Sequence, residues 1–392
     1  MDFEWAPGVE QFRQEVRAWL KEELAPEKVA RYLDPTEHSG WSIEFEGIFR
    51  KKLAAKGYAG VSWPGEYGGG GKGMAYQAVM TTELVYAGAP AMGTTNNIVG
   101  PALMHVGTDE QKKEFLPRIA RGEIEFCLGY SEPGAGSDLA NLQTRAIEQG
   151  DEYVTNGQKI FTGGAHHVDY CWLAARTDPD ALKHKGISLF IVDMKTPGIQ
   201  VRTLWTLPGW KHCEVFFDDV RIPRKCLVGD KERGWQAVST ALNVERAGLM
   251  FYGGAERQLV ELMDYCRTHE RQGQPISKHP RVRQELVQLY IDLQCGYRLT
   301  KRIMAMHDKG RVPDVETSIN RLWVGQLRHN IPRWGTRIMG LYGTLMPGSP
   351  YAPVDGMLAY EYLECIPNTI SGGAAEIQRN IIAQRGLKMP RV

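Results

Sequence analysis

The chain has 392 residues, 43% of them hydrophobic, with 47 Lys and Arg against 46 Asp and Glu. That length calls for two or three domains with ample core, and a net charge of +1 gives no reason to expect nucleic acid. No apolar run approaches membrane-spanning length, Met1-Asp-Phe-Glu-Trp5 lacks the features of a signal peptide, and the seven cysteines show no Cys-x-x-Cys spacing. The expectation is a cytoplasmic protein with reduced thiols.

The first third reads as helical. Val9, Phe12, Val16, Trp19 and Leu20 recur at helical spacing, an amphipathic stripe through Gln11 to Glu23. Trp63-Pro-Gly-Glu-Tyr-Gly-Gly-Gly-Gly71 is a loop no helix crosses. A second helical stretch runs from Tyr76 to Ala87, and Thr108 is placed to cap a helix opening at Asp109. The texture changes near Gly122: short β-branched and aromatic segments separated by turn residues continue to Gly229, with Asn156-Gly157 as a hairpin-turn signal. After Gly234 the helical period returns, interrupted by loops at Gly310 to Asp314 and Met346 to Asp355. The division is 1–122 N-terminal α-helical, 123–230 middle antiparallel β, and 231–392 C-terminal α-helical bundle. This α+β order is unlike the alternation of a doubly wound sheet.

At the head of the β region stands Gly129-Tyr-Ser-Glu-Pro-Gly-Ala-Gly-Ser-Asp-Leu139. A strand end there opens into a turn that presents backbone N–H groups and hydroxyls with little side-chain bulk. Gly134-x-Gly136 lacks the third glycine of a dinucleotide fingerprint, and no clear crossover helix follows. His166-His167 suggest a metal, but adjacent histidines on a strand or loop point apart, and a solvated pair is the expectation.

The Glu-Pro-Gly-Ala-Gly-Ser-Asp segment resembles the flavin signature of the acyl-CoA dehydrogenases. Gly157-Gln-Lys-Ile-Phe-Thr162, Glu214-Val-Phe-Phe-Asp-Asp-Val-Arg-Ile-Pro223 and Glu376-Ile-Gln-Arg-Asn-Ile-Ile382 resemble other segments of that family, in its order and spacing. The resemblance covers nearly the whole chain. It implies FAD held between the β-domain and the C-terminal helices of a homotetramer or a heterotetramer with a related chain. It also implies an acyl-CoA substrate oxidised to its trans-2-enoyl-CoA, and an electron-transfer flavoprotein as acceptor. Carried over by motif, Leu128, Tyr130 and Ser131 line the flavin ring, Gly136 and Ser137 lie at the cofactor, and Ser137 also meets the CoA part of the substrate. Phe161 and Thr162 cover the other edge of the ring. Without the family frame these two read as a core aromatic and a strand threonine.

The implied chemistry removes an α-proton with a carboxylate while hydride leaves the β-carbon. The thioester oxygen then needs preorganised donors, worth roughly 3–4 kcal/mol, and the base needs a dry site that raises its pKa toward working pH.

This chain departs from the commonest family pattern at that base. Where many members carry glutamate, it reads Ile370-Ser371-Gly372-Gly373-Ala374, with Gly372 at the glutamate position. A second subset of the family carries the base on the first long C-terminal helix, directly before an arginine, and the matching pair here is Glu245-Arg246. Val238, Ala241, Leu242, Gly248, Leu249 and Tyr252 share the helical face of Glu245, which is its only charge. A lone carboxylate on an apolar stripe is costly unless paired or functional, so Glu245 is the candidate base, with a buried ion pair as the alternative. Arg246 orients substrate or has a structural role.

The family's pyrophosphate contacts are also altered. Gln272 replaces a Phe before Gly273, and His269 stands where an Arg is usual, with Arg271 nearby as its substitute or as a solvated loop residue. Of a Gln-x-x-Gly-Gly only Gly340 remains. Three readings follow: an FAD-dependent dehydrogenase of bulky or branched acyl-CoA; a half-competent subunit completing a partner's flavin site; or the same fold turned to nitroalkane oxidation or aromatic oxygenation.

Overall fold

The computed structural model describes residues 5–90, 93–239, 251–311 and 313–390. In chain order the first helices are α1 (Pro7–Glu23), α2 (Pro26–Val29), α3 (Ile43–Ala55), α4 (Met74–Ala87), α5 (Gly100–Val106) and α6 (Asp109–Ala120). The strands β1 (Phe126–Gly129), β2 (Arg145–Gln149), β3 (Glu152–Lys159), β4 (Tyr170–Arg176), β5 (Ile187–Asp193), β6 (Ile199–Trp205) and β7 (Lys211–Pro223) follow. Helix α7 is described over 234–239. Then come α8 (Phe251–Thr268), the two-residue strands β8 (Glu270–Arg271) and β9 (Gln274–Pro275), α9 (Pro280–Asp308), α10 (Val315–Met339), α11 (Met357–Asn368) and α12 (Ala375–Ile381).

These elements form two compact units. The helical unit takes Met1–Ala25, Gly73–Ala91 and Arg246–Val392, and the sheet unit takes Pro26–Lys72 and Met92–Glu245. In the helical unit, α1 buries Val9, Phe12, Val16, Trp19 and Leu20, the stripe its sequence spells out, and it packs on α4, which packs on α8. Contact between α4 and α8 is close: a Cβ at Gly253 would lie 2.2 Å from the Thr82 carbonyl oxygen. Leu259, Leu262, Leu293, Val324, Ile331 and Ile338 form the core between α8, α9 and α10.

In the sheet unit the strand order is β1-β4-β2-β3-β7-β6, with β5 paired to β4. The β2–β3, β3–β7, β4–β5 and β6–β7 pairings are antiparallel, as expected. β1 runs parallel to β4, and β2 meets β4 in parallel at Arg145 and Arg176. Strands β4 and β5 are buried nearly throughout, because both faces of the sheet are covered. Trp172 and Leu189 join Leu103, Leu116 and Ile119 of α5 and α6 on one side. Cys171, Leu173 and Phe190 join Val215 and Phe217 on the other. Thr108 caps α6 in a full capping box with Gln111, and the Gln111 side chain also donates to the Lys225 and Leu227 carbonyls at 3.0 and 2.8 Å.

Asn156-Gly157 is not a hairpin turn. It lies inside β3, at a shift of register against β7 between Thr155 and Gly157. The β2–β3 connection is made instead at Gly150, with φ of 63°. Asn156 exchanges two 2.9 Å hydrogen bonds with Asp219, and a Cβ on Gly157 would fall 2.5 Å from the Thr144 hydroxyl. The pair is a bulge signal, used for close backbone approach rather than for chain reversal.

Candidate active site

The turn that follows β1 is held by a buried ion pair that sequence reasoning missed. Glu132 and Ala135 exchange 3.0 Å backbone hydrogen bonds, closing the Glu-Pro-Gly-Ala turn. The Glu132 carboxylate accepts from the Gln143 and Thr144 backbone N–H groups at 2.6 and 2.9 Å, and from the Lys159 ammonium at 2.7 Å. Lys159 also donates to the Tyr130 carbonyl at 3.1 Å. Burial opposes charge on Glu132, but Lys159 and the backbone donors outweigh it, and the carboxyl stays below its ordinary range. Complete burial draws the Lys159 ammonium down despite its partner. Two motifs that looked independent, the Gly-Ala-Gly turn and Gly157-Gln-Lys-Ile-Phe-Thr162, are thus one construction.

That construction brings together most of the residues expected at the flavin ring. Leu128 is half-buried against the core and Tyr130 is buried. The Ser131 carbonyl accepts from the Ile160 N–H at 2.9 Å, which sets Phe161 and Thr162 beside the turn. Neither of these two lies on a strand, since β3 ends at Lys159. Phe161 is 61% exposed and so is no core aromatic. It has φ of 56°, a conformation costly for a bulky residue and found at functional sites. Thr162 is 1% exposed. Its N–H donates to the Cys213 carbonyl at 2.9 Å, while its hydroxyl has no hydrogen-bond partner among the described residues. Across from them His212 lies 4.6 Å from the Trp210 ring and 6.1 Å from Phe161, centroid to centroid, and burial pushes its pKa down to about 4. In the turn itself, Gly134, Gly136 and Ser137 are exposed, and a Cβ at either glycine would meet nothing within 4 Å.

The helical unit carries the other expected residues. Gln272 and Gly273 both have positive φ, of 54° and 74°, in the tight β8–β9 hairpin. Arg271, on that hairpin, is not simply solvated: its guanidinium donates to the Ile338 carbonyl near the end of α10, which brings it close to Gly340, the residue that closes α10 with φ of 65°. The segment 369–374 is built around Arg321, which is 6% exposed and donates to the Asn368 and Ser371 carbonyls at 2.6 Å each. Gly372 and Gly373 have φ of 62° and 103°, so the position expected to hold a glutamate in many relatives has a backbone suited to glycine. Glu245 and Arg246 lie outside the described residues.

The expectation of a solvated His166-His167 pair is overturned. A tight turn, with the His167 and Val168 N–H groups both donating to the Gly164 carbonyl at 3.0 and 3.2 Å, bends the two rings toward each other. His167 Nδ1 comes 3.2 Å from His166 Nε2, and that nitrogen is 3.0 Å from buried Glu37.

Among the described residues no helix is long and apolar enough to cross a membrane. Comparison with known proteins accounts for the chain as a whole. It matches the acyl-CoA dehydrogenase N-terminal domain over residues 7–123, the middle domain over 127–220 and the C-terminal domain over 232–387. It is 34% identical to the acyl-CoA dehydrogenase FadE26 of Mycobacterium tuberculosis, over 100% of this chain and 99% of that protein. Among solved structures it is similar to the steroid ACAD Tcur3481-Tcur3483, with 35% identity, 100% coverage of both chains and a TM-score of 0.92. It is also similar to the ChsE4-ChsE5 complex of Mycobacterium tuberculosis, with 32% identity, the same coverage and a TM-score of 0.91. The chain belongs to the acyl-CoA dehydrogenase family, whose members are FAD-dependent oxidoreductases acting on a CH–CH bond of an acyl-CoA thioester.

Proposed function

We propose that this chain dehydrogenates a bulky or 2-methyl-branched acyl-CoA, of which a steroid side-chain thioester is one type, with Glu245 as the α-proton base. The observation that carries this reading is at position 372: no side chain stands there, and its φ of 62° disfavours one. The base must then come from elsewhere, and the wall beside the α-carbon gains room. One similar structure is that of a steroid ACAD, which agrees with a large acyl group.

The residues around Thr162 fit a flavin. Among the described residues the buried Thr162 hydroxyl lacks a partner, which a ring edge would supply, and the space at Gly134 and Gly136 lets a ligand lie against the backbone. Leu128, Tyr130, Ser131, Gly136, Ser137, Phe161 and Thr162 would hold the ring end of FAD, and Arg271 and Gly340 would serve the pyrophosphate of a neighbouring subunit's FAD. When bound, FAD supplies the acceptor for the β-hydride. Glu245 takes the α-proton, Ser137 and Arg246 orient the thioester, and Phe161 helps to exclude water. An electron-transfer flavoprotein is the electron acceptor, and the working form is a tetramer in the cytoplasm, where its seven free cysteines stay reduced.

Anaerobic titration of the purified protein with a panel of acyl-CoA thioesters tests this. Bleaching of the flavin by branched or steroid-type thioesters is expected, and Glu245→Gln should abolish it while flavin stays bound. Equal or faster turnover of butyryl-CoA would count against the bulky substrate.

A second reading has an observation of its own. Arg271 is already engaged by the Ile338 carbonyl, Gly340 alone remains of its motif, and two similar structures carry two-component names. A half-competent subunit of a heterotetramer would be purified colourless and would gain flavin and activity on mixing with its partner.

A further inference from the structure

Glu37, His166 and His167 offer three ligand atoms that all lie within 4.8 Å of one another. Two of the spacings are informative. His166 Nε2 is 3.0 Å from Glu37 Oε2 and 3.2 Å from His167 Nδ1. A tetrahedral ion bound at about 2.0–2.1 Å sets its ligand atoms roughly 3.3 Å apart. Two edges are thus close to those of one face of a zinc tetrahedron, and the third, from Glu37 to His167, is no longer than 4.8 Å.

The surroundings have the form of an outer shell. Lys211 holds the other Glu37 oxygen at 2.7 Å, leaving Oε2 for the centre. His166 turns its Nδ1 toward Cys213 Sγ, 3.5 Å away, and His167 turns its Nε2 toward Glu46, at 3.7 Å. Ligating histidines usually have their second nitrogen engaged by a carboxylate, backbone carbonyl or water, and Glu46 is such a carboxylate for His167. Side-chain exposures of 20% at His166 and 15% at His167, against 6% at Glu37, leave an approach from solvent on the histidine side.

We propose that Glu37, His166 and His167 form a binding site for a divalent transition ion, zinc by the preference of this donor set, with water in the fourth position. The ligands come from two places in the sheet unit. Glu37 lies on the loop closed by the Leu33–Trp41 bridge, and the histidines on the turn four residues beyond Thr162. The ion ties the first to the second, and so steadies the segment that presents Phe161 and Thr162. No part of the hydride chemistry is assigned to it.

The full chain, stripped with chelator and dialysed against zinc chloride, should retain about one equivalent of zinc by mass spectrometry after desalting. His167→Ala should abolish retention, and Glu46→Gln should weaken it about 10–100-fold, as removal of an outer carboxylate does. Zinc-edge X-ray absorption of the unmodified protein guards against variants that fail to fold, and should show two imidazole nitrogens at about 2.0 Å. Retention well below one equivalent, a spectrum without imidazole, or unchanged binding in a folded His167→Ala protein would overturn the site.

Discussion

Lys159 in the sheet unit and Arg321 in the helical unit are both buried cations at the foot of a glycine-rich turn, but they are secured by different means. Lys159 is 0% exposed and faces a carboxylate, Glu132, whose remaining capacity is filled by two backbone N–H groups. Arg321 joins two carbonyls, of Asn368 and Ser371, through one terminal nitrogen of its planar guanidinium. The first arrangement fixes a turn through mutual charge. The second fixes a loop through geometry. Both turns belong to segments expected at the cofactor or substrate.

The largest expected effect breaks the first arrangement. Glu132→Ala leaves the Lys159 charge buried and uncompensated, at a cost of about 3–5 kcal/mol in denaturant unfolding. Adding Lys159→Met should recover most of that loss. A double variant no more stable than the single one would show that the pair does not hold the turn.

Beside the same turn, His212 makes the sheet unit sensitive to acid. Its folded-state pKa is about 4, below the ordinary 6.5, so at intermediate pH the unfolded chain binds the proton and the folded chain does not. Stability from this group is full above pH 6.5 and falls as pH drops toward 4, by about 3 kcal/mol in all. His212→Phe should flatten that part of the pH profile in thermal melts; an unchanged slope would remove His212 from the account.

Arg321→Lys sharpens the comparison from the other side. A lysine keeps the charge but loses the planar, pre-oriented N–H group that holds both carbonyls at 2.6 Å, so a loss of about 1–3 kcal/mol is expected. The proposed preference for branched over straight acyl-CoA should narrow as the 369–374 segment loosens. A change in stability with the preference intact would separate the loop from substrate choice.

The smallest effect concerns the orphaned hydroxyl. Thr162→Val removes a buried polar group without a partner among the described residues, and should leave the flavin-free protein equal or up to about 1 kcal/mol more stable. Flavin affinity should fall by about tenfold, the value of one lost hydrogen bond. Unchanged affinity in a dialysis measurement would mean that Thr162 does not meet the cofactor.

Local pattern alone determined a good deal of this protein. The α1 stripe and the Thr108 capping box were legible because side chains three and four residues apart meet on any helix, whatever surrounds it. The helix–sheet–helix order followed from runs of periodicity, and the family from motifs whose order is itself sequence. What tertiary structure decided were contacts between residues distant in the chain: Glu132 with Lys159, 27 residues apart, Glu37 with His166, 129 apart, and Glu37 with Lys211, 174 apart. It also decided what short signals meant. Asn156-Gly157 reads as a turn in isolation, but Asp219 of β7 and Thr144 just before β2 make it a bulge. Two adjacent histidines read as diverging until a turn at Gly164 bends them together. Periodicity is written into neighbouring residues; the partner of a buried charge or imidazole is set by which surfaces the core brings face to face.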